Sequence, residues 1–346
     1  MAGPKAGMAS GCLARSIEFK FFYGLRFLFV PIVPARLPDL IKKPAAMQAT
    51  LKTTKLDIAE LERSAKHNEK RGVTMSTAAQ QEVTTPVKAA KGDFVWHELR
   101  TTDAKGAQDF YTHVVGWQAK PSGDPGGMPY TLLTVGDLRT AGLMQLSPDM
   151  LAAGMRPAWV GFIGVDDVDD YAKRVEQAGG KLHCPPMDIP TVGRFVSAQD
   201  PQGAVFLMFK GAVDYAPPRP PMGTPGVVGW NELSANDGET AWSFYSGLFG
   251  WKEDSTMDMG PLGIYRIFNN GGAAAGAMMT RDPKNAPVPF WLYYFNVEDI
   301  DAAATRIKEK NGQVLMGPHE VPGSLWIILG IDPQGATFSL VGPKKQ

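Results

Sequence analysis

Residues 96–117 read WHELRTTDAKGAQDFYTHVVGW and residues 230–251 read WNELSANDGETAWSFYSGLFGW, so one module occurs twice at an offset of 134. Val165-Asp-Asp-Val-Asp against Val297-Glu-Asp-Ile-Asp, and Asp200-Pro-Gln-Gly against Asp332-Pro-Gln-Gly, repeat at an offset of 132. Only two residues are gained or lost across the repeat, so a fold read in one copy has to satisfy the other. At 346 residues, with 44% hydrophobic and 20% charged side chains, the chain can bury a core in each copy.

The pattern inside each copy alternates strands and helices. Phe94 to Thr101 and Val227 to Ser234 read as strands, each followed by an Asp suited to a helix N-cap, Asp103 and Asp237. Ala107, Phe110, Tyr111 and Val114, and in the second copy Ala241, Phe244, Tyr245 and Leu248, are spaced i, i+3, i+4, i+7, which predicts a helix with one apolar stripe. Gly116 and Gly250 stand where a left-handed cap would end it. A hairpin, a strand into the Val-Asp-Asp helix, and two last strands joined by Asp-Pro-Gln-Gly complete the copy. The expected fold class is α+β: tandem βαβββ modules, four βαβββ units in all. They should form open barrel-like cups with helices outside, the two modules pairing around a shared hollow.

The expected boundaries are an extension at 1–91, a first module at 92–211, a Pro-rich linker at 212–225 and a second module at 226–343. The extension reads as largely disordered; Thr54 could cap one helix over 54–70, and Met75 is a plausible natural start, the alternative being a genuine tail. Its most apolar run, Phe21 to Ala35, is interrupted by Arg26, Pro31 and Pro34 and is short for a bilayer span, so a membrane partner is not expected. Thirty-five basic and 35 acidic side chains give no net charge and no basic cluster, which argues against nucleic acid. Two cysteines, Cys12 and Cys184, make no disulfide framework, and a cytoplasmic setting is expected, as monomer or homodimer.

The order of strand, Asp-capped helix with FY and GW, Val-Asp-Asp helix and Asp-Pro-Gln-Gly hairpin resembles the vicinal oxygen chelate superfamily, which includes glyoxalases, bleomycin-resistance proteins and extradiol dioxygenases. The resemblance covers about residues 92–343. It implies paired βαβββ units around a cup that often holds a divalent metal on His and Glu. At the positions the family uses for ligands this chain has Trp96 and Trp230, Val160 and Leu292, Leu207 and Ser339, and Gln145 or Met144 with Met279 or Thr280. No copy keeps a His/Glu tetrad, and no cofactor is expected, a divalent metal being the disfavoured alternative. His97 lies one place past the first ligand position, on the opposite strand face, where the second copy has Asn231. His113, His183 and His319 occupy non-equivalent places, and Cys184 has no visible catalytic partner.

The polar feature repeated at the inward phase is a glutamate, Glu98 and Glu232. In an apolar cup it could act as a general base or accept ligand hydrogen bonds; the structural alternative is a pair with Arg100 or Arg139. The expected ligand-binding set is Trp96, Glu98, Gln145, Phe162, Phe209, Trp230, Glu232 and Tyr294, with Glu98 and Glu232 the catalytic candidates and no metal ligand. The functional expectation is a small-molecule-binding, glyoxalase-like protein with an aromatic, Glu-bearing cup and a degenerate metal site. The alternatives are a metal-dependent lyase, isomerase or dioxygenase, and a structural or interaction module.

Overall fold

The computed structural model describes residues 91–122, 129–213 and 220–345. The readings on Phe21 to Ala35, the helix over 54–70 and Met75 lie outside these residues.

The first module contains β1 (Phe94–Thr101), α1 (Ala104–Val115), β2 (Gln118–Pro121), β3 (Tyr130–Val135), β4 (Leu138–Gln145), α2 (Pro148–Ala152), β5 (Ala158–Gly164), α3 (Val168–Gln177), β6 (Lys181–Leu182), β7 (Met187–Ile189), β8 (Gly193–Gln199) and β9 (Val205–Gly211). The second contains β10 (Val228–Ala235), α4 (Gly238–Phe249), β11 (Lys252–Asp258), β12 (Ile264–Asn269), β13 (Ala274–Thr280), β14 (Phe290–Asn296), α5 (Ile300–Glu309), β15 (Gln313–Val321), β16 (Leu325–Ile331) and β17 (Thr337–Gly342). The sheets run β2-β3-β4-β1-β5-β9-β8-β6, with β7 on β8, and β11-β12-β13-β10-β14-β17-β16-β15. In each, an antiparallel central pair, β1 with β5 or β10 with β14, is flanked by parallel neighbours, which is how two βαβββ units share one sheet. Among the described residues no helix is long and apolar enough to cross a membrane.

Local chemistry sets the elements. Asp103 accepts from the Gly106 amide at 3.0 Å and Asp237 from the Thr240 amide at 2.8 Å, each satisfying a free donor of the first helical turn. Gly116 and Gly250 end α1 and α4 at φ 89° and 77°, a left-handed geometry that side chains with a Cβ resist. The Asp200 carboxylate accepts from the Gln202 and Ala204 amides at 2.9 Å and holds the β8–β9 turn; Asp332 does the same with Gln334 and Ala336. In α5 the buried stripe is Ile300, Ala303 and Ile307.

The two modules are stitched by the same residues that repeat in the sequence. Tyr111 donates to Asp332 at 3.1 Å and Tyr245 to Asp200 at 3.2 Å, each joining a helix of one module to the turn of the other. Trp159 and Trp291 donate to those phenolic oxygens at 2.8 and 3.1 Å. The Trp117 indole donates to the Gly226 carbonyl at 2.6 Å and the Trp251 indole to the Gly92 carbonyl at 2.7 Å. Phe295 of the second module, fully buried, lies 5.0 Å from the Trp117 ring and 4.6 Å from the Trp159 ring of the first. Burying a side chain of that size contributes roughly 2 to 3 kcal/mol, so this seam is the main core and not a loose contact.

A packed seam takes the place of the expected shared hollow. His97 and Asn231 point from β1 and β10 into the seam and meet at 2.9 Å. The Asn231 amide donates to the Ala275 carbonyl, which leaves its oxygen to accept from the His97 Nε2–H. Strand neighbours alternate faces, so Glu98 and Glu232 point the opposite way, out of the seam. The modules pair back to back, and each sheet carries its own cup on its outer face; among the described residues the two glutamates lie on these separate faces and not around one hollow.

Candidate functional site

Each cup is floored by a separate apolar cluster. In the first module Val160, Phe162, Phe195 and Leu207 are buried, with Val95, Trp96, Met187, Ile189 and Phe209 packed against them. In the second, Leu292, Tyr294, Leu329 and Val341 are buried, flanked by Trp230, Phe290, Leu315, Met316 and Ile327. A break in register between Phe94 and Trp96 turns β1 so that Val95 and Trp96 both serve the cup while Phe94 joins the seam. The β10–β14 pairing breaks at the matching place, between Val228 and Trp230.

On each floor stands the same three-residue relay. The Trp96 indole donates to the Tyr130 hydroxyl at 2.9 Å, and Tyr130 donates to Glu98 Oε2 at 3.0 Å. Trp230 donates to the Tyr265 hydroxyl at 2.9 Å, and Tyr265 donates to Glu232 Oε2 at 2.7 Å. In the first cup Gly142 lies opposite Glu98, and a Cβ there would sit 1.7 Å from the Tyr130 oxygen; the missing side chain is where the phenol passes.

The electrostatic settings differ. Arg100 Nε donates to Glu98 Oε1 at 3.0 Å, with the side chains only 6% and 8% exposed. The equivalent of Arg100 in the second cup is Ser234, and Glu232 is held by two phenols, Tyr265 and Tyr294, with Ser339 bonded in turn to Tyr294. Burial pushes the Glu232 carboxyl above the ordinary carboxylate range, opposed by the hydrogen bonds from Tyr265 and Tyr294. Burial likewise lowers His97 in the seam to about 4, against the hydrogen bond with Asn231, so it is neutral at physiological pH.

Trp96, Glu98, Phe162 and Phe209 therefore come together in the first cup, and Trp230, Glu232 and Tyr294 in the second. Gln145 joins neither: its side-chain oxygen accepts from the Ala104 amide at 3.0 Å and caps α1, as Thr280 does for α4 through Gly238. Its neighbour Met144 takes the inward phase, opposite Arg100. Arg139 does not pair with Glu98; the partner is Arg100. The other histidines disperse: His113 bonds Glu309 on the surface of the seam at 2.8 Å, His183 is buried beside Cys184, and His319 opposes Ile327 on β15. Burial raises the Cys184 thiol, which is the opposite of activation. Tyr130 and Tyr265 are the relay members absent from the expected set. The available signal was a Tyr early in the third strand of both copies, 34 and 35 residues after the tryptophans.

The donor chemistry of the cups does not fit a divalent ion. The family's ligand positions hold Trp96, Val160 and Leu207 in one cup and Trp230, Leu292 and Ser339 in the other, and among the described residues no three His, Cys, Asp or Glu side chains gather to hold a metal.

Comparison with known proteins agrees with this architecture. The family described as Glyoxalase/Bleomycin resistance protein/Dioxygenase superfamily matches twice, at residues 93–208 and 227–340. The protein named "Putative glyoxylase CFP32" from Mycobacterium tuberculosis is 32% identical over 253 residues, covering 72% of this chain and 95% of the relative. Anthracycline biosynthesis protein DauV from Streptomyces sp. (strain C5) is 32% identical over 264 residues, 73% of this chain and 94% of the relative. Among solved structures, the Mn(II)-bound glyoxalase from Novosphingobium aromaticivorans superposes with a TM-score of 0.52 at 15% identity, covering 74% of this chain and 83% of that one. The 2,3-dioxygenase LapB from Pseudomonas sp. KL28 gives 0.52 at 12% identity, covering 74% and 94%. At those identities the structures share the fold alone, but the family match in both modules and the closer sequence relatives lead to one conclusion: the chain belongs to the Glyoxalase/Bleomycin resistance protein/Dioxygenase superfamily.

Proposed function

We propose that this chain binds flat, aromatic small molecules in its cups, with the Trp–Tyr–Glu relay as the polar anchor and without a metal centre. The observation that carries the reading is the relay itself, built twice from equivalent positions on the outer face of each sheet. Partly exposed aromatic rings around one carboxylate are what a ligand pocket presents: a large apolar surface for affinity and a few polar atoms for orientation. The names of the Streptomyces relatives support an aromatic ligand class, because anthracyclines are flat polycyclic ketones.

A second reading is favoured by Glu232 alone. A carboxyl that burial biases toward its protonated form, with no cation beside it, can pass a proton to or from a bound ligand, so the second cup would be the reactive one.

The test is a thermal-shift screen of fused aromatic compounds against chelator-treated protein. A compound at a hundredfold over its Kd should add about 2.7 kcal/mol of stability. Stabilisation of the metal-stripped protein is the expected result. A response seen only after Mn, Fe, Ni or Zn is restored would overturn the metal-free reading, and silence across the screen would remove the cups as binding sites.

A further inference from the structure

Resting on the reading of the cups as aromatic sites, we infer that the first cup selects neutral aryl ketones, with Arg100 holding the carbonyl oxygen. Arg100 follows Trp96 and Glu98 at two-residue spacing on β1, so the three side chains share the cup face. Its partners across the sheet are Met144 on β4 and Ala158 on β5. Among the described residues the guanidinium makes one hydrogen bond, from Nε to Glu98 Oε1, and Nη1 and Nη2 meet no acceptor. A side chain 94% withdrawn from solvent on the cup face, whose Nη groups are not among the sealed, unpartnered polar atoms, offers its forked end to an oxygen that enters from the cup.

Charge decides which oxygen. Glu98 already neutralises Arg100 at 3.0 Å, and Tyr130 occupies the other carboxylate oxygen. A carboxylate or phosphate ligand on the Nη groups would leave one net negative charge at the Arg100 end, beside Met144 and its buried apolar neighbours Leu146 and Met150, and unpaired buried charge is costly. A ketone oxygen accepts the same N–H donors and adds no charge. From Trp96 to Arg100 the strand rises about 13 Å, which suits a body of two or more fused rings with the carbonyl at its Arg100 end. The second cup, with Ser234 in place of Arg100, lacks this donor.

Three isosteric probes separate the possibilities: 2-acetonaphthone, 2-naphthoate and 2-isopropylnaphthalene. Binding is followed by methyl NMR of the methionines, with Met144 reporting the first cup and Met316 the second. At Met144 the ketone should bind about tenfold more tightly than either the hydrocarbon or the carboxylate, the increment of one hydrogen bond to a charged donor. The Glu98→Gln, Arg100→Met double variant keeps the cup neutral, and there the ketone should lose its advantage over the hydrocarbon. Met316 should show no such preference. Equal affinity for ketone and hydrocarbon in the wild-type first cup, tightest binding of the carboxylate, or a preference that survives in the double variant would each overturn the assignment while leaving aromatic binding intact. If none of the three probes shifts either methionine, the reading of the cups falls and the assignment with it.

Discussion

The two cups hold one relay in two electrostatic settings. Glu98 lies 3.0 Å from a buried guanidinium, whereas Glu232 has Ser234 at the corresponding place and two phenols as its company. The frame beneath them is shared: the same register break, the same tryptophan, the same tyrosine donating to the glutamate. Duplication therefore kept the scaffold and the hydrogen bonds and let the charge diverge. A single substitution on a strand face is enough for that, because the residue two places along is the nearest neighbour on the cup side.

The largest effect expected from this difference is on stability. Arg100→Met strands Glu98 without its cation and should cost about 3 to 5 kcal/mol, most of it recovered when Glu98→Gln is added. Equilibrium urea unfolding measures both, and a single variant as stable as wild type would mean that the pair carries no weight. At the seam the modules should behave alike. Tyr111→Phe and Tyr245→Phe each remove a phenol that bridges an indole and a carboxylate, and each should cost about 1 to 3 kcal/mol by the same unfolding measurement. Clearly unequal losses would show that the divergence extends beyond the cups.

The smallest effect concerns pH. Because burial raises the Glu232 carboxyl, folding favours its protonated form. The resulting stability is fully present below the ordinary carboxylate range and is lost as the pH climbs through the raised folded value. Asp200 and Asp332 are raised by burial too and contribute with the same sign, so the comparison has to be a difference between proteins. Glu232→Gln should flatten the fall of stability over that window; an unchanged slope would show that the carboxyl titrates normally.

The repeated motifs were legible because their chemistry is local. An Asp three residues ahead of an amide it caps, a Gly in a left-handed turn and an apolar stripe at helical spacing all act within one turn of chain. What the motifs are for was less legible. The Tyr of FY reads as one more position of an apolar stripe and the Asp of Asp-Pro-Gln-Gly as part of a turn, yet together they join the modules, a contact across 221 positions that no local pattern signals. Phase decided Gln145: the parallel ladder places Met144 opposite Arg100 and Gln145 opposite Thr101, so the glutamine turns away and caps α1. The separation of the cups follows from which face each sheet offers its partner. The polar pair at the alternate position, His97 and Asn231, carried that hint, since each needed a partner on the face away from the glutamates.

One relay sits in two electrostatic settings, and carbon-13 NMR of the Glu232 carboxyl as a function of pH tests this most directly, with the resonance assigned through Glu232→Gln. Glu232 should titrate above the ordinary carboxylate range in the wild type, and Ser234→Arg, which supplies the cation found in the first cup, should bring it down. A Glu232 midpoint within the ordinary range, unmoved by Ser234→Arg, would contradict the account.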